Sequence, residues 1–252
     1  VNQPSTVAAQ PSASQTIRAR RRTREKEARR RSILDAARAV FLEWGMSAST
    51  MDQIAERAEL SKGALYLHFS GKQELCLALL VEVSRSLVDV LKAAHNPKLT
   101  PLRQLERLID AYYGFYLHRP DYFRLLFVVE HQSYRSDAAD ALRTEWTDLG
   151  REALELLASV IEAGVEQGSI RSCAPWTTAV SLWASVTGVI VLPVQEIRAG
   201  FVGNVSHEEL VKFTLRTFWR GIQAEAAPAA DDGDAKPRGK VASKPKRAPA
   251  RR

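Results

Sequence analysis

Cysteine is nearly missing from this chain: Cys76 and Cys173 are its only two in 252 residues, far apart and without a metal-ligand neighbour. That excludes a disulfide framework, gives no zinc signature and fits a reducing compartment. Strand alternation bounded by turn pairs is missing too, so the expected fold class is all-α. No nucleophile elbow, phosphate loop or Gly-rich dinucleotide motif occurs, which leaves no basis for an enzyme. Nor is there an apolar leader, and the Arg- and Ser-containing start lacks the apolar periodicity of a transit peptide. One stretch, 175–195, is uncharged and long enough to span a bilayer. It also holds Thr177, Thr178, Ser181, Ser185, Thr187 and Pro193. A buried or interface helix is therefore expected there, with no membrane and a cytoplasmic location.

Charge of one sign is scarce in the middle and abundant at the ends. The chain nets +7, but residues 1–31 carry nine basic side chains against Glu25 and Glu27, and 228–252 carry eight against three acids. The body between them nets −5. Residues 1–26 read as a disordered basic arm and 226–252, rich in Ala, Pro, Lys and Arg, as a disordered basic tail. General attraction to phosphate is expected to come from these ends.

Residues 50–69 carry the most specific pattern. Thr50 and Gln53 have the spacing of a capping box, in which the Thr50 hydroxyl accepts from the amide three residues on and the Gln53 side chain reaches back. Met51, Ile54, Ala55 and Ala58 then recur at helical spacing, leaving Asp52, Gln53, Glu56 and Arg57 to water. Ser61 can cap a second helix with Leu65 and Phe69 inward and Lys62, Ala64, Tyr66 and His68 outward. The outward face has small residues for close approach and long side chains for base edges, and no acid lies on it.

Ile54-Ala55 with Ala58, the run 60–69 (Leu-Ser-Lys-Gly-Ala-Leu-Tyr-Leu-His-Phe) and Lys72-Gln73-Glu74-Leu75 together resemble the TetR/AcrR family of bacterial transcriptional regulators. One departure is Glu59, where that family usually has Gly at the turn. The resemblance implies an N-terminal helix-turn-helix DNA-binding domain, 27–87, and a C-terminal helical effector-binding and dimerisation domain, 88–225. By matching positions, Thr50, Ser61, Lys62, Gly63, Tyr66, His68 and Lys72 approach the duplex. Thr50, Lys72, the Tyr66 hydroxyl and His68 are expected at phosphates, and Lys62 and Ala64 at base edges, a guanine and a thymine methyl respectively. Arg20, Arg21 and Arg22 are candidates for a minor-groove arm, with a merely electrostatic tail as the bland alternative.

Further along, helices are expected from the end of the basic arm to a stop at Gly45, from Gly71 to Ala94 behind a second capping box (Ser70 with Gln73), and from Pro101 to His118. Others follow from Asp121 towards His131, from Asp137 to about Ala163, from about Ala174 to Ala199, and from a third box (Ser206 with Glu209) to Ala224. Aromatic stripes at such spacing are usually core. The resemblance nevertheless implies an effector cavity, for which Tyr112, Tyr116, Phe127, Trp146 and Trp183 are lining candidates and Glu130 or His131 polar anchors; so few charges favour a small lipophilic or aromatic effector. No metal or other cofactor is expected, since His118, Glu130 and His131 do not share a helix face across Pro120. The last two helices look apolar beyond one core's need, at Trp183, Val186, Val189, Ile190, Leu215, Phe218 and Trp219, and the family pairs them in a homodimer. The expected function is a ligand-responsive repressor that binds a palindromic operator as a dimer. An architectural or non-inducible DNA-binding protein is the alternative.

Overall fold

The computed structural model describes residues 13–127, 137–191 and 205–224; among them the secondary structure is helical apart from turns and one isolated bridge, Ile170 with Gln223. The helices are α1 (Ala13–Ala48), α2 (Met51–Arg57), α3 (Lys62–Tyr66), α4 (Lys72–Ala94), α5 (Pro101–His118), α6 (Pro120–Phe127), α7 (Asp137–Glu166), α8 (Pro175–Val191) and α9 (His207–Ile222).

α1 is longer than the sequence suggested. The basic segment read as irregular is helical from Ala13 onward. Beyond Pro11 it has no Gly or Pro, it is built of good helix formers, and Arg21 pairs with Glu25 one turn on at 2.8 Å. At the other end Gly45 breaks the helix as expected: its φ of 72° lies where only glycine sits without strain.

α1, α2, α3 and the start of α4 bury one core. Ile33, Ala37, Val40 and Phe41 of α1 meet Ile54 of α2, Leu65 of α3, and Phe69, Leu75 and Leu79. Each large side chain withdrawn from water contributes about 1.5–3 kcal/mol before the entropy of ordering is set against it. α4 is apolar nearly all round, with twelve buried residues from Leu75 to Leu91, because it packs on α1 at its start and on α5 and α7 over the rest. It is the structural link between the N-terminal unit and the helices behind it.

The capping predictions divide. Ser206 and Glu209 form their box at the start of α9. Ser70 and Gln73 do not: Gly71 is the N-cap of α4, without a side-chain bond, and Glu74 accepts from both the Ser70 amide (2.7 Å) and its hydroxyl (2.8 Å). With Gly71 fully extended, Ser70 falls one residue outside the cap position, so the acid one residue beyond Gln73 reaches it. Behind α7, Gly164 permits a close approach, since a Cβ there would stand 2.5 Å from Ile170 Cδ1. The α7–α8 turn can therefore fold in and bond the end of α9, Arg171 N donating to Ile222 O at 2.9 Å.

Candidate nucleic-acid interface and ligand cavity

The Thr50 box closes as the spacing required. Gln53 N donates to Thr50 Oγ1 at 3.3 Å and Thr50 N to Gln53 Oε1 at 2.8 Å. α2 ends in a paired turn in which Leu60 N donates to Ala55 O (2.9 Å) and Glu59 N to Glu56 O (3.0 Å). That geometry requires a left-handed residue after the cap, and Glu59 supplies it with φ 55°. The turn expected of glycine is thus kept by glutamate at a backbone cost of about 1 kcal/mol. The Glu59 side chain itself is exposed.

Ser61 then caps α3, accepting from Ala64 N at 3.2 Å. α3 is only five residues long and anchored by Leu65 alone, which is fully buried. Ser61, Lys62, Gly63 and Tyr66 are exposed, and Ala64 and His68 half-buried. Thr50, Lys62, Tyr66 and Lys72 line one shallow open depression with Asp52, Gly71 and Gln73. Sequence reasoning gave no role to Leu67, yet it is 87% exposed beside Tyr66. Leu67, the residue that caps α3, thus holds an apolar side chain in water on the same face, and its position between Tyr66 and His68 was the available signal.

Two lysines have partners within the protein. Lys62 Nζ lies 2.8 Å from Asp52 Oδ1, and that hydrogen bond and charge hold its pKa above the ordinary lysine value. The pair is exposed on both sides and so opens at little cost. Lys72 differs. Its ammonium donates to Met46 O, Ser47 O and Ser49 O, each at 3.0 Å. All three N–H donors go to carbonyls just past the break at Gly45, so Lys72 ties the end of α1 to the start of α4.

Behind this unit, α4, α5, α7 and α8 enclose a cavity of about 410 Å³. Ser84, Leu87, Val88 and Leu91 of α4 form one wall; Tyr112, Leu126, Trp146, Gly150 and Trp183 are among the others, and no charged side chain lines it. Three of the expected lining residues, Tyr112, Trp146 and Trp183, are therefore in place. Tyr116 is not; it packs edge-to-face against Phe123 (5.1 Å between centroids) and His207 (5.0 Å). Glu130 and His131 lie outside the described residues, as does the Phe127 side chain. The buried Tyr112 hydroxyl is satisfied by Thr187 Oγ1 at 2.7 Å, and burial pushes its pKa up. Burial likewise pushes the Cys76 thiol up to about 12, leaving it unreactive.

α6 touches both regions. Leu126 lines the cavity. One turn earlier, the Tyr122 hydroxyl accepts from Arg38 of α1 at 2.8 Å and donates to Glu82 of α4 at 3.4 Å. The Tyr122 ring has the Arg38 guanidinium 5.0 Å and the Arg119 guanidinium 5.5 Å from its centroid.

On α8 the outward face is not the one expected. Val186 and Ile190 are fully buried and Trp183 lines the cavity, because α8 turns its bulky stripe towards α5 and α7. Thr177, Ser181, Ala184, Ser185 and Gly188, a stripe of small residues, face out instead. Beside them α9 exposes Phe213 (63%). No described helix is long and apolar enough to cross a membrane.

Residues 33–79 match the family described as "Bacterial regulatory proteins, tetR family", and 105–218 match "Tetracyclin repressor-like, C-terminal domain". The HTH-type transcriptional regulator SrpR of Pseudomonas putida is 26% identical over 202 residues, 80% of this chain and 88% of that protein. The HTH-type transcriptional activator FasR of Mycolicibacterium smegmatis is 37% identical over 102 residues, 40% of this chain but only 47% of that protein. The fold is that of the transcriptional regulator FadR from Bacillus subtilis in complex with stearoyl-CoA, with a TM-score of 0.63 at 19% identity, covering 76% of this chain and 98% of that one. The capped two-helix motif, its left-handed turn and the helical bundle behind it, together with these matches, place the chain in the TetR family as a DNA-binding transcriptional regulator.

Proposed function

We propose that this regulator is a ligand-responsive repressor that binds a palindromic operator as a homodimer and leaves it when a small lipophilic effector enters the cavity. The observation that carries the reading is that one wall of an uncharged cavity is α4 itself, the helix that continues into the N-terminal unit. Its volume of about 410 Å³ falls within the ~300–1,000 Å³ of ordinary ligand sites. Occupancy displaces α4 and Leu126; α6 passes the movement through Tyr122 to Arg38, and the spacing of the two recognition helices no longer fits the operator. Lys62, Ala64 and Leu67 read base edges, Tyr66 and His68 hold phosphates, and Thr50 and Ser61 fix the helix starts from which these side chains project.

Dimerisation is assigned to α8 and α9. Support comes from the uncharged outward stripe on α8, where small side chains allow backbones to approach closely, and from Phe213, Thr214, Thr217 and Phe218 beside it. The existence of the cavity favours this reading over a non-inducible architectural protein.

The test uses stearoyl-CoA, the molecule found in complex with the Bacillus subtilis FadR, with free stearate and a short aromatic acid as alternative probes. Trp146 and Trp183 report cavity binding by fluorescence, and DNA fragments from the gene's own neighbourhood report operator release by anisotropy. A lipophilic probe is expected to quench the tryptophans and weaken discrete palindromic binding together. Continuous DNA coverage insensitive to every probe would replace the reading with the architectural one.

A further inference from the structure

We infer that the projecting half of α1 is a second DNA-contact element: a basic helix laid along phosphates that flank the half-site, not an arm inserted into the minor groove. The starting point is the register of α1. Arg18, Arg22, Lys26, Arg29, Ile33, Ala36 and Val40 follow one another at steps of three or four residues, so they form a single stripe on one helix face. Its C-terminal part, Ile33, Ala36 and Val40, is buried in the N-terminal core. Its N-terminal part is exposed, and none of its four cations is ion-paired among the described residues. The face that α1 turns towards α2 and α4 thus continues past the core as a row of cations. That row leaves the core beside the recognition motif: the Arg30 guanidinium stands 4.6 Å from the ring centroid of Phe69, the motif's last residue.

The occupant follows from charge and dimensions. Residues 1–31 carry nine basic side chains against two acids, and although the body is net acidic, the four exposed cations of the stripe meet no acid of it among the described residues, which leaves them to a polyanion outside the chain. Arg18 to Arg29 spans about 16 Å at 1.5 Å per residue, the reach of roughly five successive phosphates at 3.4 Å of duplex axis each. A helix about 10–12 Å across does not enter a minor groove about 6 Å wide, which removes Arg20, Arg21 and Arg22 from the role of a minor-groove arm. Arg20 and Arg24 lie on the opposite face, and Arg21 is paired with Glu25. The four cations of the stripe carry the contact.

The experiment compares two variants of equal charge loss in the full chain. Arg22→Ala/Lys26→Ala/Arg29→Ala removes the stripe; Arg20→Ala/Arg21→Ala/Arg24→Ala removes cations from the other faces. Binding to a mixed-sequence duplex several turns long is measured by anisotropy across a salt series. The stripe variant is expected to flatten the slope of log affinity against log salt by about 0.9 per lost contact, and the control variant to change it far less. Ala28→Pro, which keeps every charge but breaks the helix between its projecting and buried parts, is expected to flatten the slope as well. Netropsin, which fills A·T minor grooves, is expected to leave the stripe's contribution unchanged. Equal losses for the two triple variants, a wild-type slope for Ala28→Pro, displacement by netropsin, or preferential binding of the wild-type helix to phosphatidylserine vesicles over duplex would each overturn the inference. Because every substitution lies on exposed helix ahead of the core, circular dichroism is expected to show the same cooperative unfolding throughout.

Discussion

Glu59 holds the turn of the motif in a conformation that its Cβ disfavours, and neither its exposed side chain nor a hydrogen bond from it repays the cost. Glu59→Gly is therefore expected to stabilise the protein by about 1 kcal/mol, less the entropy that glycine surrenders on folding. For a chain of this size that is a rise of roughly 2–4 °C in the melting temperature, read by calorimetry. An unchanged or lower midpoint would mean that the turn does not adopt this conformation. The two lysines of the depression separate in the same kind of measurement. Lys72→Met removes the group that closes the end of α1 and is expected to cost about 1–2 kcal/mol of stability. Lys62→Met breaks only an exposed pair, so stability holds within about 0.5 kcal/mol while base preference relaxes in a gel-shift series over operator variants.

Among the elements, those whose signals are local were legible in the sequence. Thr50 with Gln53 and Ser206 with Glu209 close their boxes because both partners sit within one turn, and Gly45 stops α1 for a reason carried by glycine alone. Where a tertiary partner decides, the pattern was silent or misleading. No spacing in the sequence announces that the carbonyls of 46, 47 and 49 converge on Lys72, and the bulky stripe of α8 reads as an interface although Val186 and Ile190 are fully buried. The basic half of α1 looked irregular because composition alone registers charge, not the helix that such residues readily form when continuous with a packed one. α6 is the element with the most specific consequence. Tyr122→Phe keeps the ring between two guanidinium groups but removes the bonds to Arg38 and Glu82. Probe binding in the cavity is expected to persist, while the change in operator affinity that the probe causes shrinks by several-fold; equal loss of both would make Tyr122 merely structural. α9 carries a pH dependence of definite sign. The Ser206 hydroxyl and amide hold the Glu209 carboxyl below its usual range. The stabilisation of the α9 start is then complete above the unfolded carboxyl value and is lost as pH falls through the folded one. The protection factor of amides in the first turn of α9, taken against intrinsic exchange at each pH, should fall on acidification to about pH 3, and Glu209→Gln, which keeps the box, should abolish that fall.

For the whole molecule, one five-residue recognition helix offers too few contacts for an operator, and the net-acidic body adds no general attraction. Two copies joined rigidly turn the second half-site contact into an intramolecular one, worth on the order of 100-fold or more in affinity. The proposed α8–α9 pairing makes this argument testable without knowing the effector. Ala184 and Phe213 are exposed in the protomer, so Ala184→Arg with Phe213→Arg leaves its fold and cavity intact but sets four arginines against one another across the two-fold axis. Sedimentation at micromolar concentration is expected to change from dimer to monomer. Binding to a palindrome is expected to fall on the order of 100-fold, while a single half-site is bound as weakly as by wild type. A double variant that still sediments as a dimer would move the interface off these two helices, and one that is monomeric yet binds the palindrome at full strength would remove the need for a dimer in recognition.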